Sequence, residues 1–410
     1  MVDFERVLVT GGSGYIASFC IAQLLREGAK VRTTVRSRAR EAEVRTAISK
    51  LVQTEEPLEI LVADLNADAG WREACSGCSG VLHVASPLPA RNPKNDDDLV
   101  RPARDGALRV LKAARDGGVA RVVMTSSTAA VAYGHGGRAQ PFTEADWSNP
   151  ADRSDSSAYE RSKMIAERAA WDWHGREGGE LELVTICPGA VLGPVLGGDF
   201  SASLDIVRRL IDGSLPGLPH FGWPLVDVRD IADLHVRALR TPNAAGQRFI
   251  GAGPFYWMSD IARVLRDCVP EVANKVPKRH LPSWLVRLSS LIDPVVRERL
   301  FELDKERPVS AEKARRSLGW APRGNDDAII DTARSLLAED VVKRGQGVGT
   351  GTGGAMRVAL VLLALCAPTA PTTAAAAQDM ARPVGRWRTV EDKTGRPVSI
   401  VRMYEQGPSV

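Results

Sequence analysis

Residues Arg6 to Gly28 constrain the fold of this chain more than any other stretch. Arg6 to Thr10 (RVLVT) is a short apolar run that opens into Thr10-Gly11-Gly12-Ser13-Gly14-Tyr15-Ile16-Ala17. Such a run reads as a buried parallel strand. From Gly14 to Glu27 the apolar residues Ile16, Phe19, Cys20, Ile21, Leu24 and Leu25 keep helical spacing, and Gly28 ends them. The glycines of the turn permit positive φ. They also let the backbone approach a pyrophosphate, whose charge meets the helix N-terminus. The spacing is G-x-x-G-x-x-A, with Ala17 as the last small residue. Thr10, Gly11, Gly14, Tyr15 and Ile16 are therefore candidate cofactor contacts.

The same alternation continues downstream. Lys30–Val35, Leu58–Val62, Gly80–Ala85, Arg121–Thr125 and Leu181–Cys187 read as strands, and Asp98–Arg115 and Ser157–His174 as long helices. This pattern predicts an α/β protein with a doubly wound parallel sheet of Rossmann type over residues 1–189. Residues 190–343 are looser. Gly189–Pro224 is rich in Gly and Pro, and helices are expected at Arg229–Leu239, Ser259–Cys268, Ser310–Trp320 and Asp326–Lys343. This part is expected to form a smaller C-terminal substrate lobe, intertwined with the first domain and lying over the strand ends.

The tail follows a different pattern. Residues 344–355 are a glycine-rich linker. Met356-Arg357 then opens a ten-residue apolar run, Val358–Ala367, that leads to four alanines at 374–377. A positive start, a short apolar centre and small residues are the parts of a secretory signal peptide. The run is too short to span a bilayer, which takes about 20 residues. Gly385–Tyr404 alternates like two strands of another domain. Residues 356–410 are expected to be a non-integral tail: either the start of an unrelated exported protein, which they resemble, joined on by fusion, or a disordered tail.

Composition narrows the class. Of 410 residues, 44% are hydrophobic and 25% charged, as in a soluble globular protein. The net charge of +4 is small and there is no long basic block, so nucleic acid is not expected. No membrane partner is expected for residues 1–343. Met1–Val9 carries no leader and enters a strand directly, so a cytoplasmic location is expected. Cys75-Ser76-Gly77-Cys78 is a lone CxxC without a second Cys or His pair nearby. A zinc site needs about four ligands, so no metal is expected.

The end of the second strand bears on the nucleotide. A carboxylate there would hold ribose hydroxyls and repel a 2′-phosphate. The chain has Thr33-Thr34-Val35-Arg36-Ser37-Arg38 instead. Arg36 can pair with a phosphate in bidentate fashion, with Arg38 or Arg40 assisting, which predicts NADP(H). Asp64-Leu65 could receive the adenine, and Val84-Ala85-Ser86 could line the ribose groups.

Tyr159 and Lys163 stand four residues apart on a predicted helix and so share a face. A cation beside a phenol is expected to lower its pKa. Ser126-Ser127 closes the Arg121–Thr125 strand. His83 lies mid-strand and reads as a core residue. Tyr133, Phe221 and Trp223 are candidate pocket walls, whereas Trp71, Trp147, Trp171 and Trp173 read as packing residues.

TGGSGYIA, ADL, LHVASP, TSS, YxxxK and the Pro-Gly after the sixth strand together resemble the extended short-chain dehydrogenase/reductases. More narrowly they are similar to the dihydroflavonol reductase and cinnamoyl-CoA reductase-like branch, with its microbial aldehyde and ketone reductases. The resemblance covers about residues 4–340. It implies NADPH-dependent reduction of a small-molecule carbonyl, with Tyr159 as the proton donor. It gives Lys163 the tasks of tuning Tyr159 and binding the nicotinamide ribose. Ser127 would bond the substrate oxygen, with Ser126 the alternative, and Pro188 would sit against the nicotinamide. In this superfamily helices such as Asp98–Arg115 and Ser157–His174 commonly pair between subunits, so a homodimer is one expectation. Two other readings remain open at this point. A sugar-nucleotide epimerase or dehydratase shares the scaffold, but Arg36 and the acid-free run Thr125–Thr128 speak against it. A non-catalytic NADP(H) sensor often lacks the Tyr or the Lys, and both are present.

Overall fold

The computed structural model describes residues 4–54, 56–87, 95–196 and 202–339, together with the backbone of 383–390 and 397–404. The linker and the signal-peptide-like run lie outside the described residues. The chain divides into two compact units, Met1–Thr350 and Gly351–Val410.

The first unit is built on alternation. In chain order it runs β1 (Arg6–Val9), α1 (Tyr15–Arg26), β2 (Lys30–Val35), α2 (Glu41–Leu51), β3 (Glu59–Val62), α3 (Trp71–Cys75), β4 (Gly80–His83), α4 (Asp97–Asp116), β5 (Arg121–Thr125), α5 (Ala158–Glu177) and β6 (Glu182–Pro188). The later part holds β7 (Ala190–Leu192), α6 (Ala202–Ile211), β8 (Gly222–Asp227), α7 (Val228–Arg240), β9 (Arg248–Gly251), β10 (Phe255–Trp257) and α8 (Met258–Cys268). It closes with α9 (Ser283–Ser289), α10 (Pro294–Arg299), α11 (Glu312–Leu318) and α12 (Asn325–Ala338).

Seven parallel strands form one sheet in the order β3-β2-β1-β4-β5-β6-β9. The order reverses between β1 and β4, which opens a crevice at their carboxyl ends. Side-chain direction alternates along each strand. Val7, Val9, Leu82, Val123, Val184 and Ile186 therefore pack on one face, with α1 and α7. Leu8, Val81, Val122, Met124 and Leu183 pack on the other, with residues of α3, α4 and α5. Both faces are covered, so the strands read as continuous apolar runs.

Segment 190–343 contributes β9 to this main sheet, so it is joined to residues 1–189 by backbone pairing. The rest gathers around a three-stranded sheet, β10-β8-β7, whose core includes Leu204, Leu225, Ile261, Leu265 and Leu336. α12 ends at Ala338, five residues before the expected Lys343. Among the described residues, no helix is long and apolar enough to cross a membrane.

In the second unit, β11 (Pro383–Val390) and β12 (Pro397–Tyr404) pair antiparallel, with Trp387 opposite Val401.

Candidate active site

α5 starts with a reciprocal cap. The Ser157 hydroxyl accepts the Tyr159 N–H at 3.2 Å, and the Glu160 carboxylate accepts the Ser157 N–H at 2.9 Å. The cap fixes the first turn, where Tyr159 stands, and Lys163 follows one turn later. Lys163 is buried, and its ammonium donates to the Ser86 hydroxyl at 2.9 Å. Ser86 follows Ala85, whose N–H donates to Thr10 Oγ1 at 3.0 Å. A Cβ added to Gly11 would come within 3.0 Å of the Ala85 Cβ. The glycine turn, the end of β4 and the Tyr/Lys helix therefore meet in one crevice.

The electrostatics depart from expectation at Tyr159. Burial pushes its phenol up to about 12, Glu160 adds to this, and the Arg299 guanidinium opposes both. The expected lowering by Lys163 is not among the influences on this phenol, and that ammonium donates to Ser86 instead. Burial also draws Lys163 down to about 8, with Glu167 the main influence holding it up. Lys163 thus keeps its proton at neutral pH with little margin.

The two serines separate clearly. Ser126 is buried and donates to the Glu167 carboxylate at 2.5 Å. Ser127 is half-buried, and its hydroxyl accepts the Ala129 N–H at 3.1 Å. Its own proton remains available to a ligand oxygen. Ser126 is spent within the fold.

The turn before α1 fits a dinucleotide. Gly11 has φ +72°, a left-handed conformation that favours glycine. Gly14 caps α1 without a side-chain hydrogen bond, and no acid stands in the first turn. The leading N–H groups of α1 therefore stay open to an anion. Arg36 and Arg38 are exposed at the end of β2, with no ion-pair partner among the described residues. Arg40 instead pairs with Glu43 through two bonds. Asp64 and Leu65 are half-buried beyond β3, and Asp64 Oδ1 accepts the Asn66 N–H at 2.8 Å. Val84, Ala85 and Ser86 are half-buried at the crevice, and Pro188 is buried at the end of β6. These residues suit the pyrophosphate, the phosphate-bearing ribose and the nicotinamide end of NADP(H).

Other predicted residues serve the scaffold. Thr10 is fully buried, and its hydroxyl pairs with His83 Nδ1 at 2.9 Å, so its side chain braces β4 and does not face a ligand. His83 is held neutral by burial, its pKa drawn down to about 3. The Tyr15 hydroxyl is buried without a partner among the described residues, close to Asp227 and Arg229. Tyr15 and Ile16 could therefore serve a nucleotide through their N–H groups. Tyr133 is buried, with its hydroxyl on Glu302, and Trp223 is half-buried and donates to the same carboxylate at 3.3 Å. Cys75 and Cys78 are buried free thiols, and burial pushes Cys75 up to about 12. Among the described residues no cluster could hold a metal ion.

Sequence reasoning missed Glu167, Arg248 and Arg299. Glu167 stands four residues past Lys163, a spacing that could have singled it out. Arg248 and Arg299 gave no local signal, since each reaches the site from a distant segment.

The model of the NAD dependent epimerase/dehydratase family matches residues 7–251. Cinnamoyl-CoA reductase CAD2 of Medicago truncatula is 35% identical over 273 residues, 65% of this chain and 81% of that one. Dihydroflavonol 4-reductase of Zea mays is 31% identical over 282 residues, 67% of this chain and 76% of that one. The crystal structure of yeast methylglyoxal/isovaleraldehyde reductase Gre2 complexed with NADPH superposes with a TM-score of 0.69 at 24% identity, over 82% of this chain and 100% of that chain. The last likeness speaks for the fold. The sequence matches, with the glycine turn and Tyr/Lys helix meeting at the β1/β4 crevice, establish that the chain belongs to the NAD dependent epimerase/dehydratase family, the extended short-chain dehydrogenase/reductases.

Proposed function

We propose that the protein reduces an aldehyde or ketone to an alcohol with NADPH. The observation that carries this reading is the contact line from Gly11 through Ala85 and Ser86 to Lys163, which brings the anion-binding turn to the Tyr/Lys helix. NADPH, when bound, supplies the hydride for the carbonyl carbon. Tyr159 delivers a proton to the carbonyl oxygen. A phenol near 12 is protonated at neutral pH, which is the form a general acid needs. Ser127 donates a hydrogen bond to the same oxygen and stabilises charge as it develops. Lys163 holds the nicotinamide ribose and places a positive charge one turn from the phenol. Arg36 pairs with the 2′-phosphate, and Gly11, Gly14 and the α1 N–H groups receive the pyrophosphate.

The substrate in this reading is a small to medium apolar carbonyl compound. Its support is the half-buried aromatic pair Phe221 and Trp223 beside Tyr133, together with relatives named as reductases. Loss of NADPH absorbance with a panel of aromatic and aliphatic aldehydes and ketones tests it. No consumption with any of them removes the reductase. Turnover of a sugar nucleotide without net NADPH loss establishes an epimerase in its place.

The same reading includes a cytoplasmic protein and a homodimer through α4 and α5, to be checked by fractionation and light scattering. On this reading the glycine-rich sequence 344–355 joins the enzyme to the start of a separate exported protein at 356–410. A native product whose mass extends past Met356 contradicts that last point.

A further inference from the structure

We infer that Glu167 is a positioning residue that keeps Lys163 charged and fixes which of the two serines faces the substrate. This inference rests on the reductase reading above. Tyr159, Lys163 and Glu167 recur at four-residue intervals on α5 and share one face. The Glu167 side chain is wholly buried. It accepts from Ser126 Oγ at 2.5 Å, Thr185 Oγ1 at 2.7 Å and Arg248 Nε at 2.8 Å. These donors come from the end of β5, from β6 and from β9, so the carboxylate is held from three strands. A cavity of about 20 Å³ joins it to Lys163, lined also by His83, Ser86, Thr125 and Ser126. That is room for about one water molecule.

A buried ammonium tends to lose its proton. Glu167 is the strongest influence against that loss. The remaining neighbours offer no comparable anion. His83 on β4 is neutral, α4 presents Ala103 and Ala107, and burial keeps the Cys187 thiol on β6 protonated. Arg248 on β9 is spent on Glu167 itself, and Tyr159 on α5 is protonated at neutral pH. Ser126 bonded to Glu167 leaves Ser127 as the serine with a free proton.

The test is the pH dependence of NADPH affinity, read by fluorescence titration, and of kcat/KM. In the wild type both fall as Lys163 deprotonates. Glu167→Gln removes the anion, so the falling limb moves to lower pH, by about one unit. Glu167→Asp keeps the charge and restores the limb toward the wild-type position. If Arg248 left unpaired prevents Glu167→Gln from folding, the double variant Glu167→Gln/Arg248→Gln carries the same test with a smaller acid shift, because the Arg248 positive charge leaves with the anion. A folded variant with an unmoved limb overturns the inference. A wild-type protein that neither binds NADPH nor reduces any carbonyl overturns the reductase reading instead.

Discussion

The Tyr133 hydroxyl donates to the Glu302 carboxylate at 2.8 Å, a bond across 169 positions of the chain. Trp223 Nε1 donates to the same Glu302 oxygen at 3.3 Å, and Arg307 Nη1 to the other oxygen at 2.6 Å. Arg307 also lies over the Tyr133 ring and reaches Asp155, which accepts the N–H groups of Gly134 and Gly136. One buried carboxyl thus fixes two aromatic residues expected to wall the pocket. Arg307, through Asp155, also ties segment 299–307 to the turn that precedes α5.

Glu302 should impose a pH dependence on stability. Burial raises its pKa to about 7, and Arg307 only partly offsets this. The folded state then binds the proton more tightly than the unfolded state, whose carboxyl has the ordinary value of 4.5. Between those values the folded protein carries more protons, so stability falls as pH rises. Urea midpoints of the wild type should drop across this window. Glu302→Gln, neutral throughout, should flatten the slope. Parallel slopes for the two proteins would show that Glu302 does not titrate there.

Tyr159→Phe removes the proposed proton donor and retains the ring. A positioned general acid contributes about 10²- to 10⁴-fold, so kcat should drop within that range. NADPH affinity should stay near the wild-type value, because the proposed nucleotide contacts are made by other residues. Retained turnover in steady-state assays would remove the assignment.

Much of the scaffold was legible because its signals are local. The strand, glycine turn and helix of residues 6–28 lie in sequence order, and the Ser157/Glu160 cap marks the start of α5 within four positions. α2 escaped notice because only Val44 and Ile48 bury on an otherwise charged helix. β7 and β10 are three residues each, too short for a period to register. The expectation for Tyr159 failed for another reason. Four-residue spacing places Lys163 on the same face, but burial and the Ser86 contact decide where its charge acts. Ser126 and Ser127 could not be told apart without Glu167, whose donors Thr185 and Arg248 come from other strands.

Arg36 should decide the nucleotide. It is exposed, free of an ion pair among the described residues, and stands where β2 ends without an acid. A hydrogen bond between charged groups contributes about 1.5–3 kcal/mol, so Arg36→Ala should weaken NADPH binding about 10- to 100-fold. NADH binding should change little, since that nucleotide has no 2′-phosphate. Titration of both nucleotides against both proteins checks this, and equal losses would assign Arg36 to some other contact.

The paired serines offer the sharpest contrast. Ser126→Ala takes one donor from a buried carboxylate that still keeps Thr185 and Arg248. Leaving part of a buried polar group unsatisfied costs about 1–3 kcal/mol. The melting temperature should therefore fall, with a modest change in kcat. Ser127→Ala removes a half-buried hydroxyl that caps the short Thr128–Ala130 turn by accepting the Ala129 N–H, so stability should fall by about 0.5–2 kcal/mol, less than for Ser126→Ala. Loss of one donor to a developing oxyanion costs about 10²- to 10³-fold in kcat. Melting curves and steady-state rates on both variants separate the two roles. A Ser127→Ala enzyme with full kcat, beside a Ser126→Ala enzyme without activity, would move the catalytic hydroxyl to Ser126 and require it to leave Glu167 during turnover.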